Sequence, residues 1–192
     1  MPAGQFSEPL SFSVMTRHRK HLEILVIEDD FGDYDAAARA LKKMYDYEAR
    51  CTRAKTLEAA RLLISQNSYD VYLIDYHLGT ESGARFLKEI GGRSSLAVPI
   101  LVTGRIEGEV QDNALTAGAL SCINKSDLSP SVLESTIRSA LYTHQIESEI
   151  VELLSQLATS GRDFPSARLL REKFADRMAM PTGVRPVQAR VG

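Results

Sequence analysis

The chain has 192 residues, 44% of them hydrophobic and 25% charged, with a formal net charge of −2, which suits one domain of ordinary size plus an appendage and argues against a nucleic-acid binder. No apolar run approaches the length of a membrane span, and Met1 to Val14 lack the basic start and apolar block of a secretion signal. Cys51 and Cys122 are too few for a disulfide framework or a cysteine-based zinc site, so a cytoplasmic protein with reduced, packed cysteines is expected.

In chain order, residues 1–21 show no sustained period and read as a flexible arm with a small basic cluster at Arg17, His18, Arg19 and Lys20. Ile24 to Ile27 is a continuous apolar run, the pattern of a strand buried on both faces, and it ends in Glu28, Asp29 and Asp30. Asp33 to Met44 follows as a helix with Tyr34, Ala37, Ala38, Leu41 and Met44 on one face, and Asp30 or Asp33 is suited to cap it. Glu48 to Ala54 reads as a short strand and Thr56 to Gln66 as a helix. Tyr69 to Asp75 is the second strongly buried strand, closing on a carboxylate and a loop containing His77, Gly79 and Gly83. Ala84 to Ile90 is helical and stops at Gly91-Gly92. Val98 to Thr103 is a strand closed by Gly104, Glu109 to Ala117 a helix ended by Gly118, and Leu120 to Asn124 a strand followed directly by Lys125. Ser129-Pro130 starts a last helix.

Five strand–helix repeats predict an α/β fold: a doubly wound, five-stranded parallel sheet flanked by five helices, the last one extended. Right-handed crossovers put every C-terminal strand end on one rim. Glu28, Asp29, Asp75, Thr103 and Lys125 therefore converge there. Adjacent carboxylates repel unless a cation relieves them, and their hard oxygens suit Mg²⁺. A metal, a hydroxyl and an ammonium around one carboxylate suit phosphoryl transfer, with Asp75 as the nucleophile. Each residue also has an ordinary alternative: Asp75 as a turn cap, Thr103 as a strand-end hydroxyl, Lys125 as a solvated charge.

These residues resemble the receiver domain of bacterial two-component response regulators. Ile24 to Asp30 is similar to its first strand and acidic pair, Tyr69 to Asp75 with Gly83 to its phosphoacceptor strand and loop, Pro99 to Gly104 to its hydroxyl strand, and Gly118 to Lys125 to its lysine strand. The likeness runs over residues 22–144 and implies the flavodoxin-like receiver fold. It implies that Asp75 accepts phosphate from a sensor histidine kinase or phosphotransfer protein, or from a small donor such as acetyl phosphate. It further implies that Asp29, Asp75 and the His77 backbone carbonyl ligate Mg²⁺, that Glu28 acts mainly through water, and that Thr103 and Lys125 read the phosphoryl group. Two positions depart from the family pattern. Cys122 stands where a switching Tyr or Phe is usual, and Ser126 where a proline, often after a cis peptide, is usual; a cis bond before Ser126 would be costly. Gly104 leaves room for phosphate, while His77 and Arg105 occupy positions that tune phosphate lifetime in the family or simply line an exposed rim.

Beyond the last receiver helix the apolar pattern continues. Ile146, Ile150, Leu153 and Leu157 recur at heptad-like spacing, and no Gly or Pro intervenes between Pro130 and Gly161. One long helix is expected. It pairs with a partner, most simply a second copy across the face of the fourth and fifth helices, or folds back on its own domain. Residues 145–180 read as this helical extension, with a further helix from Pro165 to Met178, and residues 181–192 as a disordered tail. Ser160 to Gly192 carries seven Arg/Lys against three Asp/Glu, a basic stretch read as a solvated face rather than a nucleic-acid contact.

The leading expectation is thus a phosphorylatable receiver that signals through protein contacts or a phosphorelay, without a separate DNA-binding output domain. Three rivals stand beside it. One is a pseudo-receiver scaffold acting through its C-terminal helix, and another a transcriptional regulator with a degenerate C-terminal module. The third is a hydrolase of the haloacid dehalogenase type, which would want Asp where His77 stands.

Overall fold

A computed structural model of the chain describes residues 19–104 and 108–159. The elements are β1 (Lys20–Ile27), α1 (Phe31–Lys42), β2 (Tyr47–Ala54), α2 (Leu57–Gln66), β3 (Val71–Asp75), β4 (His77–Leu78), β5 (Glu81–Ser82), α3 (Gly83–Glu89), β6 (Val98–Thr103), α4 (Gly108–Thr116), β7 (Ser121–Asn124) and α5 (Pro130–Thr159). Five strands form one sheet in the order β2-β1-β3-β6-β7. Every neighbouring pair in it is parallel. Every residue of β3 and of β6 is buried, as continuous apolar runs in a two-sided sheet should be.

Helices cover both faces. On one, Ala37, Leu41, Leu133, Ile137 and Ala140 of α1 and α5 pack on Val26, Leu73 and Ile100. On the other, Leu57, Ala60, Phe86, Leu87 and Ala114 of α2, α3 and α4 pack on Leu25, Ile74 and Leu101. The predicted doubly wound sheet is therefore the observed one.

The boundaries differ in instructive places. β1 begins at Lys20, so Lys20 and His21, assigned above to the arm, pair with Tyr47 and Glu48 of β2. Residue pairing across the sheet, not local apolar pattern, extends the strand. α1 starts at Phe31 rather than Asp33, because Asp30 takes the cap: its Oδ1 accepts from the Asp33 backbone N–H at 2.9 Å. The loop after β3 contains a small antiparallel hairpin, β4 against β5. Among the described residues no peptide bond is cis, so the Lys125–Ser126 bond is trans.

The long last helix is present as expected. One face of its first half is buried against the sheet, and Glu134 fixes it to the turn after α1 by accepting from the backbone N–H of Tyr45 at 2.6 Å and Asp46 at 3.1 Å. Past Leu141 the helix runs beside the turn that follows α3. There Glu147 pairs with Arg93 at 2.7 Å, and His144 Nε2 lies 3.1 Å from the Ser95 carbonyl oxygen. Of the seam positions, Ile146 and Leu153 face outward, while the neighbouring Leu154 is buried. The side chain of Leu157, the arm before residue 19, Arg105, the helix read from Pro165 to Met178 and the tail fall outside what the structure describes.

Candidate functional site

Strands β1, β3 and β7 each end on the same rim of the sheet. Glu28 follows β1, Asp75 ends β3 and Lys125 follows β7. Glu28 and Asp75 are each 5% exposed, far below what a solvated carboxylate would show. They tolerate burial because Lys125 sits between them: its Nζ lies 2.8 Å from Glu28 Oε2 and donates to Asp75 Oδ2 at 2.9 Å. A third acid joins them, Asp33 from the first turn of α1, whose Oδ2 accepts from Lys125 Nζ at 2.6 Å. The cleft between these groups is walled by Val26, Leu73, Val102 and Leu128.

The electrostatics follow from this packing. Burial raises Glu28 above the ordinary carboxylate value, and the neighbouring Asp75 charge adds to that, against the opposing contact with Lys125. For Lys125, burial works against the charged form, but hydrogen bonds to Asp33, Glu28 and Asp75 outweigh it and hold the ammonium above its ordinary value. The site therefore carries a fixed cation facing a surplus of carboxylate.

Oxygens of Glu28, Asp29 and Asp75 all lie within 4.8 Å of one another. That is a hard, all-oxygen donor set with one exposed member, Asp29, open to water. Such a set fits Mg²⁺, which takes a few carboxylates and keeps several of its waters. The backbone of this acidic turn is held in place by Arg53 at the end of β2. Its Nε donates to the Glu28 carbonyl oxygen at 3.1 Å and its Nη2 to that of Asp29 at 2.7 Å. The same guanidinium stacks over Tyr34 and Phe31, at 5.0 and 5.4 Å from the ring centroids. Below Asp75, Gly83 passes so close that a Cβ there would fall 2.0 Å from the Asp75 carbonyl oxygen. No other residue type fits that approach without moving the strand end.

A family model for the response regulator receiver domain matches residues 24–138, more than half of the chain. The chain belongs to the response regulator receiver family. Its fold agrees with that of a CheY-like receiver domain protein from Methanospirillum hungatei JF-1, at 25% identity and a TM-score of 0.55, over 68% of this chain and 99% of that one. The signal receiver domain of a DNA-binding response regulator (MerR) from Colwellia psychrerythraea 34H gives 24% identity and a TM-score of 0.55, over 63% and 98% of the two chains. A curated relative is the hydrogenase transcriptional regulatory protein HoxA of Cupriavidus necator, 27% identical over 161 residues. The match takes in 83% of this chain but only 31% of HoxA, so the chain spans about a third of that relative.

The remaining predicted positions of the receiver fall as follows. Thr103 ends β6 beside Asn124 and is 1% exposed. Gly104 is exposed, and a Cβ there would meet nothing within 4 Å, so space beside Thr103 is open. His77 lies at the start of the β4 hairpin with its backbone N–H donating to Asp75 Oδ1 at 3.3 Å. Its ring packs edge-on against Tyr76 at 4.8 Å. Cys122 pairs with Leu101 in the sheet and is half-buried on the α4 side, where burial pushes its thiol up.

Sequence reasoning missed Asp33 and Arg53 as members of this site. Asp33 read as a helix cap, and Arg53 lay unremarked within the short strand read from Glu48 to Ala54. Only the sheet order, with β2 beside β1, brings Arg53 under the acidic turn. A carboxylate in the first turn of the helix leaving an acidic rim was the one available signal for Asp33.

Proposed function

We propose that Asp75 is the phosphoacceptor of this receiver, in a Mg²⁺-dependent reaction with a sensor histidine kinase or phosphotransfer protein. The contact of Lys125 Nζ with both buried carboxylates, Glu28 and Asp75, is the observation that carries the reading. Asp29, Asp75 and the His77 carbonyl would hold the ion, with Glu28 acting through water. Once bound, Mg²⁺ would neutralise charge on the transferred oxygens. Lys125 presents its ammonium as a point charge to one phosphoryl oxygen. Thr103 donates its hydroxyl to another, and open Gly104 leaves the space. Attack by an Asp75 oxygen forms the acyl phosphate as the bond from phosphorus to the donor's leaving atom breaks. Cys122 and Arg105 occupy the switch and tuning positions, and repacking around the small Cys122 replaces rotation of an aromatic ring.

Output runs through protein contacts or a phosphorelay in the cytoplasm. The exposed apolar side chains Leu115 on α4 and Tyr142, Ile146 and Leu153 on α5 lie on the elements suited to pair two copies. The test is transfer from a phosphorylated histidine kinase. Label should pass to the wild-type chain with Mg²⁺ and fail with Asp75→Asn or with the metal chelated. Transfer that persists on Asp75→Asn overturns the assignment. The likeness to HoxA, a transcriptional regulatory protein, favours a second reading in which the same switch acts on transcription. Salt-sensitive retention of the whole chain on DNA would support that reading.

A further inference from the structure

A lysine ammonium has three N–H donors, and Lys125 meets three carboxylates. Its Nζ stands 2.6 Å from Asp33 Oδ2, 2.8 Å from Glu28 Oε2 and 2.9 Å from Asp75 Oδ2. To turn an N–H toward a phosphoryl oxygen, Lys125 must give up or share one of these contacts. The three are not equal. Side chains of Glu28 and Asp75 are 6% exposed, whereas that of Asp33 is 45% exposed. Releasing Glu28 would strand a buried charge, which is costly. Releasing Asp75 would break the contact at the atom where phosphate arrives. Releasing Asp33 hands a half-exposed carboxylate to water. Asp33 is also rooted on a different element from the others, in the first turn of α1, with its backbone N–H held by Asp30.

We infer that Asp33 is a positioning residue that holds Lys125 in the unphosphorylated receiver and competes with the phosphoryl group for its ammonium. This rests on the reading of Asp75 as acceptor. While the pair is intact, Asp33 occupies one N–H of Lys125 and adds a negative charge close to the path of an anionic donor. When an Asp75 oxygen bonds to phosphorus and acetate leaves acetyl phosphate with the electrons of the broken P–O bond, the new phosphoryl oxygens take the N–H that Asp33 held. The first turn of α1 is thereby freed from the rim. The charge of Asp33 thus sets how readily the acceptor is loaded, and phosphorylation is coupled to α1 as well as to the Thr103 side of the sheet.

The experiment is the initial rate of phosphorylation by acetyl phosphate at saturating Mg²⁺, read by intact mass across donor concentration and ionic strength. The full chain is used as wild type, Asp33→Asn, Asp33→Ser, Asp33→Glu and Asp35→Asn. Asp35 is a control on the same helix, paired with Arg39 instead of the rim. Thermal melts establish that each variant is folded, and the two neutral variants stand in for one another. Asp33→Asn or Asp33→Ser should raise the rate at low donor by about two- to fivefold, the range of a partly exposed ion pair. The gain should appear in the donor concentration needed for half-maximal rate, and it should shrink as salt screens the half-exposed charge. Asp33→Glu should restore the wild-type rate, and Asp35→Asn should leave it unchanged. A purely structural role for Asp33 in α1 would not give that salt dependence or rescue by Glu. Wild-type phosphorylation with equal or slower loading of both neutral variants overturns this inference and leaves the acceptor assignment intact. No phosphorylation of the wild type by acetyl phosphate or by any histidine kinase tried overturns both.

Discussion

The rim of the sheet and the outer half of α5 are opposite kinds of unfinished surface. At the rim, Glu28, Asp33 and Asp75 surround one lysine with Asp29 close by, and two of these acids are almost fully buried. The surplus there is electrostatic, and a cation or the exchange of one ion pair for another resolves it. Along α5 past Leu141, the surplus is apolar: Tyr142 is 66% and Leu153 59% exposed. Such side chains are the kind that a protein surface covers. One helix joins the two regimes, since the inner turns of α5 lie in the core at Leu133 and Ile137 while the outer turns hold to the body through Arg93 and Glu147.

Leu133→Ala in the inner half of α5 should cost about 2–5 kcal/mol, read from the denaturant midpoint, because Leu133 is fully buried between sheet and helix. The same truncation at Leu153 should cost far less, and equal losses would mean that the outer half is packed after all. Mg²⁺ at a hundredfold excess over its Kd should add about 2.7 kcal/mol of stability through the rim, removed by chelation. Asp29→Asn should weaken that gain, while Leu153→Glu should leave it untouched. Gly83→Ala should cost about 1–3 kcal/mol or more by forcing the Asp75 carbonyl to move, and should slow phosphate acceptance at the same time. Tyr142→Glu together with Leu153→Glu should shift the solution mass toward the monomer in light scattering without changing the rate of acyl phosphate formation. Glu147→Gln removes an ion pair whose partners are 18% and 28% exposed, so under about 1 kcal/mol is expected from the same melts. Its sharper sign should be faster amide exchange in the outer turns of α5 alone.

Much of this was legible in the chain itself. β3 and β6 announce themselves because strands buried on both faces read as near-continuous apolar runs, and the helices between them carry their own caps and glycine stops. From strand order and crossover hand, Glu28, Asp75, Thr103 and Lys125 had to meet at one edge, and Lys125 does contact Glu28 and Asp75. Other features depend on distant partners. Lys20 and His21 are polar and exposed, and they are strand only because β2 pairs with them. The β4 hairpin has two residues a side, too few for any period. Arg53 acquires its role from lying on the strand next to β1, and Asp33 from the reach of a lysine 92 positions later in the chain. Along the outer turns of α5, Leu154 is buried while Ile146 and Leu153 are exposed, a distinction that a heptad pattern, which sets spacing alone, does not make.

Intact-mass analysis of the full chain after incubation with Mg²⁺ and acetyl phosphate, on wild type and Asp75→Asn side by side, tests the central claim most directly. One added phosphoryl group on the wild type, absent from Asp75→Asn and absent when Mg²⁺ is chelated, is the predicted result. A phosphoryl group that remains on Asp75→Asn, or a wild type that gains none from this donor or from any histidine kinase tried, would contradict the account.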